Sequence, residues 1–159
     1  MTDGRTDPER HPDDDIGRLL PAVGQSWKRL LGKCLADEGL SDATGLPILV
    51  LWRAGGRRMR QHELAQQLGL ETSGVVRVLD GLGRRGLLRR VEDPSDRRAK
   101  LVELTAEGQA MGERVDRVAR TLRARLLQAV DPADLAAASR VLAQLWDAIE
   151  ATEADRNGK

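Results

Sequence analysis

The sequence has almost no aromatic side chains. It contains no phenylalanine and no tyrosine, and three tryptophans supply the whole aromatic content of 2%. Hydrophobic residues still make up 40% of the chain, which is enough for a globular core and argues against wholesale disorder. Such a core has to be built from leucine, valine, alanine and isoleucine. Because leucine and alanine are strong helix formers, we expect a mainly α-helical fold, as one domain or as two lobes that share a core.

Cysteines and long apolar runs are equally scarce. The single cysteine, Cys34, cannot form an internal disulfide bond, and no Cys/His spacing resembles a zinc site. The chain starts with polar residues rather than an apolar signal segment, and no apolar run is long enough to span a bilayer. We see no Ser/His/Asp set, phosphate-binding glycine loop or metal triad. We therefore expect a cytoplasmic protein that is not an enzyme, has no cofactor or metal, and does not bind a membrane.

The formal net charge is only +1, but the basic residues are unevenly distributed. Residues 84–100 include three acidic residues and seven basic ones. The basic residues are Arg84, Arg85, Arg89, Arg90, Arg97, Arg98 and Lys100. A second basic cluster consists of Arg53, Arg57, Arg58 and Arg60. A nearly neutral protein can bind nucleic acid through one such basic face, although many charge runs are only solvated surface.

Apolar residues recur at spacings of three and four near both ends of the chain. This pattern predicts helices within about 13–38 and 106–153, with a flexible tail at 1–12 and a short tail at 154–159. Pro21 falls within the first helix and is expected to kink it or to delay its start. The apolar stripes exceed what a small central core needs. We therefore expect the terminal helices to pair with a second subunit in a two-fold dimer.

The centre of the chain predicts two short helices joined by a glycine turn. Residues 61–68 have the spacing of a short helix, Gly69 supplies the turn, and Thr72 or Ser73 is expected to cap the next helix. At about 100° per residue, that next helix has an apolar face and a polar face. The apolar face holds Val75, Val78, Leu79 and Leu82, and the polar face holds Ser73, Arg77, Asp80 and Arg84. Such a helix can enter a DNA major groove, although the pattern alone also fits an ordinary surface helix.

A β-hairpin is predicted directly after this helix. Gly86 is expected to end the helix, residues 87–91 and 100–104 are expected to form strands, and 93–98 to form the turn between them. This order of elements is that of a winged helix-turn-helix, whose hairpin reaches neighbouring phosphates and the minor groove. The predicted fold is therefore mainly α with a small β-hairpin wing, and its DNA-binding lobe covers about 41–105.

Four segments of the central region resemble the MarR family of transcriptional regulators, and within it the SlyA-like branch. They are Val76-Arg-Val-Leu-Asp-Gly-Leu82, Arg85-Gly-Leu-Leu-Arg89, Ser95-Asp-Arg-Arg-Ala-Lys100 and Glu103-Leu-Thr105. The resemblance extends over roughly residues 13–153, and the Asp-Arg-Arg wing followed by Leu-Thr is its most specific part. It implies a helical dimerisation lobe and a homodimer that binds double-stranded DNA. The default role is repression at a pseudo-palindromic promoter operator.

The resemblance also implies which residues contact DNA. They are Ser73, Arg77, and Arg97 or Arg98 as the wing arginine, with Asp96 as a support of the wing. We expect both wing arginines to contact DNA, and we add Arg84 because it shares the polar face of the helix with Arg77. In the family, a wing arginine enters the minor groove, held by a wing aspartate, and a recognition-helix arginine at the position of Arg77 reaches the DNA. Arginine suits these tasks because it fits a narrow, electronegative minor groove and can form forked hydrogen bonds to bases or phosphates.

Some residues have competing interpretations. Many relatives release DNA when a small aromatic or carboxylate ligand binds, so Trp27 and Trp52 are candidate ligand-binding residues, but both also suit a core or a dimer interface. Cys34 is either a peroxide sensor or an inert buried thiol, and its place in an apolar stripe favours the inert thiol. For the whole protein, the alternative is a winged-helix protein-interaction module that does not bind DNA. The basic residues of the helix and wing favour DNA binding.

Overall fold

The computed structural model describes the backbone of residues 12–157 and the side chains of 15–41, 43–71, 73–96 and 100–156. Within this range the chain forms six helices and a three-stranded sheet, which confirms the mainly α fold with a small β wing. The elements in chain order are α1 (Pro12–Asp37), α2 (Asp42–Arg53), β1 (Met59–Arg60), α3 (Gln61–Leu68), α4 (Thr72–Arg84), β2 (Leu88–Asp93), β3 (Asp96–Leu104), α5 (Ala106–Leu127) and α6 (Pro132–Asn157).

The terminal helices are longer than the sequence suggested. Helix α1 begins at Pro12 and includes Pro21, so the proline does not delay its start. Helix α6 continues to Asn157, past residue 153, where the predicted segment ends. The remainder of the predicted N-terminal tail, residues 1–11, lies outside the described residues.

Local capping chemistry sets the start of the second helix. Ser41 is the N-cap of α2, and its side chain accepts a hydrogen bond from the backbone N–H of Thr44 at 3.3 Å. The preceding turn contains Gly39 at φ +70°, a conformation that glycine adopts without steric cost. Together these residues end α1 and direct the chain into α2.

The sheet is antiparallel, with the strand order β1–β3–β2. The turn between β2 and β3 is shorter than predicted, because β2 extends to Asp93 and β3 already begins at Asp96. Only Pro94 and Ser95 lie between the two strands. Residues 96–98, which were expected in the turn, therefore belong to the start of β3.

Two clusters of buried apolar residues hold the first part of the fold together. One is the core of the winged region and joins α2, α3, α4 and the sheet through residues that include Ile48, Met59, Leu64, Val75, Leu79 and Val102. The other joins the end of α1 to α2 and α5 through Leu31, Leu35, Leu40, Leu49, Val115, Ala119 and Leu122. The winged region thus has a core of its own, and its helix α2 also packs against α1 and α5.

The chain divides into two compact units near Leu122. In the second unit, α6 carries its apolar stripe on the surface of this single chain, where Leu142, Trp146 and Ile149 are 47%, 50% and 52% exposed. In the first unit, the N-terminal half of α1 also exposes large apolar side chains, namely Ile16, Leu19, Leu20 and Val23. Each helix therefore has an apolar face that this chain alone leaves in water.

Candidate nucleic-acid interface

Helix α4 has one buried face and one exposed face, as its sequence period predicts. Val75, Leu79 and Leu82 are buried against α2, α3 and the sheet. Ser73, Arg77 and Arg84 are exposed on the opposite side. The predicted cap is wrong, because the N-cap is Glu71 and Thr72 is already the first helical residue. This shift of one or two residues leaves the two faces of the helix unchanged.

The two arginines on the exposed face of α4 have no partner among the described side chains. Neither Arg77 nor Arg84 forms an ion pair or a side-chain hydrogen bond with any residue whose side chain the structure describes. The carboxylate on the same helix, Asp80, is instead bound by Arg90 of β2 at 2.7 Å. The face therefore presents two uncompensated positive charges to solvent, as a helix that contacts DNA should.

The described basic residues of the sheet are paired instead. Glu103 of β3 accepts hydrogen bonds from Arg58 and Arg89, which hold the pKa of its carboxyl below the usual range. Lys100 of β3 contacts Glu92 of β2 at 3.2 Å, and the two residues are directly paired across the hairpin. The described basic residues of the sheet are thus neutralised by carboxylates on neighbouring strands and on α4.

A buried aspartate organises the tip of the hairpin. One Asp93 carboxylate oxygen accepts hydrogen bonds from the backbone N–H of Ser95 at 2.8 Å and from its hydroxyl at 2.6 Å. The other accepts two from Arg60 of β1, at 3.0 Å from Nε and 2.6 Å from Nη2. The Ser95 hydrogen bonds, together with Arg60, lower the pKa of Asp93 to about 2.

The predicted wing residues lie next to this buried aspartate. Arg97 and Arg98 are in the first residues of β3, and their side chains lie outside the described set. Asp96 is exposed and faces Asp93 across the hairpin, so its proposed support of a wing arginine stays a prediction. Sequence reasoning missed Asp93 and Arg60. The Asp-Pro-Ser order hinted at a side-chain turn at Asp93, but nothing in the sequence indicated its arginine partner.

Comparison with known proteins supports the winged-helix fold. A family model described as a winged helix DNA-binding domain matches residues 44–108. The solved transcriptional regulator PA3341 is 33% identical over 85% of this chain and 98% of its own, with a TM-score of 0.76. A mutant MarR from E. coli complexed with operator DNA is 27% identical over 82% of this chain and 92% of its own, with a TM-score of 0.65. The chain belongs to the MarR family of transcriptional regulators.

A further similar structure carries a ligand. CouR from Rhodococcus jostii RHA1, bound to p-coumaroyl-CoA, is 30% identical over 89% of this chain and 94% of its own, with a TM-score of 0.65. These similarities identify the present protein as a winged-helix, DNA-binding regulator of transcription. Helix α4 takes the position of the recognition helix, and the β2–β3 hairpin that of the wing.

This MarR-family chain has a cavity of about 370 Å³ between α1 and the helix-turn-helix. Its lining is mostly apolar and consists of Lys28, Arg29, Ala43, Leu46, Pro47, Leu68, Leu70 and Val78. Neither Trp27 nor Trp52 is among these residues. Trp27 is half-buried on α1, and Trp52 packs so closely on Gly112 of α5 that a Cβ there would lie 2.3 Å from its ring. A ligand-binding role for the two tryptophans stays a prediction.

Cys34 is half-buried against the α1–α2–α5 cluster, and a redox role for it stays a hypothesis. Among the described residues, no group of three or more His, Cys, Asp or Glu side chains is arranged to hold a metal ion. None of the helices in the described part of the chain is long and apolar enough to cross a membrane.

Proposed function

We propose that this regulator binds a pseudo-palindromic promoter operator as a homodimer and represses transcription in the cytoplasm by occluding the promoter. The observation that carries the proposal is the exposed face of α4, where Arg77 and Arg84 have no partner among the described side chains. A MarR mutant of similar fold was solved with operator DNA. The motifs of the recognition helix and wing place the protein, in our proposal, in the SlyA-like branch.

The homodimer is supported by the apolar faces of α1 and α6. Ile16, Val23, Leu142 and Ile149 are all more than two-fifths exposed in the single chain, which is costly for large apolar side chains at successive turns of a helix. A second copy would offer each stripe an apolar surface to pack against. It would also supply a second recognition helix, which a two-fold symmetric operator requires.

We also propose an effector of the small aromatic carboxylate class for the cavity beside α1. The lining is apolar except for Lys28 and Arg29, which suits a flat apolar body with one negative group. The cavity touches both Leu68 of α3 and Val78 of α4, so a ligand there contacts both helices of the helix-turn-helix. Binding would thereby shift the population of DNA-competent conformations.

The function is tested by fluorescence anisotropy on the DNA upstream of the protein's own gene. We expect tight binding that exceeds binding to random duplex and weakens steeply with salt, because phosphate contacts release counterions. The double variant Arg97→Ala/Arg98→Ala should lose most of this affinity. If the wild-type protein does not bind this DNA specifically, and if a genome-wide pull-down enriches no DNA fragment, the alternative of a protein-interaction module is favoured.

The effector is tested on the same complex. Adding p-coumarate should release the operator, whereas the uncharged p-coumaramide should not, since only the carboxylate can pair with Lys28. A Lys28→Met variant should keep its operator affinity and lose the response. Equal release by acid and amide would contradict the proposed role of the negative group.

A further inference from the structure

The hairpin that carries Arg97 and Arg98 is joined to the rest of the winged region by a buried ion pair at its tip. Asp93 lies at the end of β2 and Arg60 at the end of β1, on opposite sides of the central strand β3. The Arg60 side chain therefore spans the width of the sheet to reach the hairpin tip. Arg60 is also the residue that immediately precedes α3, the first helix of the helix-turn-helix.

Each oxygen of the Asp93 carboxylate accepts two hydrogen bonds in this arrangement. One oxygen closes the turn by accepting the N–H and the hydroxyl of Ser95, and the other accepts two N–H groups of Arg60. The Asp93 side chain is only 7% exposed, whereas the Arg60 side chain is 37% exposed. A buried carboxylate with all its hydrogen bonds made holds a turn in one orientation, and charge-assisted hydrogen bonds are the stronger kind.

We propose that Arg60 is a positioning residue for DNA binding, which orients the wing tip through Asp93 and does not itself contact DNA. The proposal rests on the DNA-binding function above. Its physical basis is preorganisation: a wing held in one orientation loses less conformational freedom when it binds. Without Arg60, the turn would keep its Ser95 hydrogen bonds but lose its link to β1 and to the start of α3.

Two opposite views of these residues predict different results. If Arg60 were a simple phosphate contact, removal of the Asp93 negative charge should leave operator binding unchanged or strengthen it. If Arg60 acts through Asp93, then Asp93→Asn should weaken binding although it removes a negative charge next to DNA. Asparagine preserves the shape of the side chain and the acceptor for Ser95, so the substitution removes mainly the ion pair.

The experiment measures operator affinity and its salt dependence for Arg60→Gln, Asp93→Asn and the double variant. We expect each single variant to bind about tenfold more weakly, the scale of one lost charge-assisted hydrogen bond, and the double variant to be no weaker than either. The salt slope should stay close to the wild-type value. The matched controls are Arg57→Gln and Glu92→Gln, which remove the same charges from exposed ion pairs nearby.

Three results would overturn the proposal. They are unchanged affinity in both single variants, additive losses in the double variant, and a loss in Arg60→Gln alone with a salt slope reduced by about one, which marks a phosphate contact. If Arg60→Gln fails to fold, Arg60→Lys decides. Lysine keeps the charge but cannot donate the two N–H groups that Arg60 donates to Asp93. A positioning role therefore predicts weaker operator binding for Arg60→Lys, whereas a phosphate contact predicts unchanged binding.

Hydrogen–deuterium exchange of the free protein tests the same idea without DNA. In Arg60→Gln, the amides of residues 93–100 should exchange faster than in the wild type, while those of α4 should not change. No acceleration at the wing would contradict the proposal even if operator binding fell. Should the wild type bind no operator at all, the proposed function would fail, whereas faster exchange would still show that Arg60 holds the wing.

Discussion

The recognition helix and the sheet region use their described arginines differently. On α4, Arg77 and Arg84 point to solvent without a partner among the described side chains. In the sheet, Arg89 shares Glu103 with Arg58, which directly precedes β1, and Arg60 is bound to Asp93. The difference shows that the positive charge of a sequence segment is not the positive charge it offers to DNA. The first set is available for binding, and the second set stiffens the wing.

The largest expected effect is on the free energy of unfolding, and it distinguishes the buried face of α4 from its exposed face. Leu79 is fully buried in the core of the winged region, whereas Val76 is exposed one turn earlier. Leu79→Ala should lower the free energy of unfolding by about 2–5 kcal/mol, the cost of a cavity in a packed core. Val76→Ala is the control and should change it by about 0.5 kcal/mol or less. Urea titration measures both, and equal losses would show that the helix does not bury the face seen here.

Arg77 should contribute to DNA binding and not to stability. Arg77→Ala is expected to cost about 1–3 kcal/mol of operator binding and to relax the base preference at one position, while the unfolding midpoint stays unchanged. Titrations against operators substituted at single base pairs measure the preference. An equal loss on every sequence would assign Arg77 to the phosphates instead of the bases.

A smaller effect should appear in acid, and only in the wing. The pKa of Asp93 is lowered to about 2 in the folded chain, so its hydrogen bonds stabilise the fold above its ordinary pKa and are lost as the pH falls from about 4 to 2. Asp93→Asn should therefore flatten the decline of the unfolding free energy over this range. The decline should not vanish, because the pKa of Glu103 is lowered as well. An unchanged pH profile would contradict the role of Asp93.

Local sequence patterns predicted most of the winged region. The 3.6-residue period identified the buried face of α4, and the bounds of α3 at residues 61–68 agree with the structure. Both features depend on neighbouring residues of one helix, which a sequence displays directly. The cap of α4 was misplaced by one or two residues, since Glu71, Thr72 and Ser73 are all polar and only the backbone conformation at Glu71 distinguishes them.

The pairing of the hairpin arginines could not be predicted in the same way. The partners lie far apart in sequence: Arg58 and Glu103 are separated by 45 residues, and Arg60 and Asp93 by 33. Both contacts depend on the strand order β1–β3–β2, which brings a two-residue strand next to the wing. The short turn at Pro94 and Ser95 was missed because residues 93–98 are turn-forming throughout, whereas the Asp93 carboxylate already closes the turn on Ser95.

The most direct test compares two arginines that differ in pairing. Arg84 on α4 has no described partner, whereas Arg89 on β2 is bound to Glu103 although its side chain is 69% exposed. Arg84→Ala and Arg89→Ala remove the same charge, five residues apart in sequence. Operator titrations over a range of salt concentrations should show weaker binding and a salt slope reduced by about one for Arg84→Ala, with both quantities unchanged for Arg89→Ala. Equal changes in the two variants would contradict the distinction between a recognition helix whose arginines are available to DNA and a wing whose described arginines are held by carboxylates.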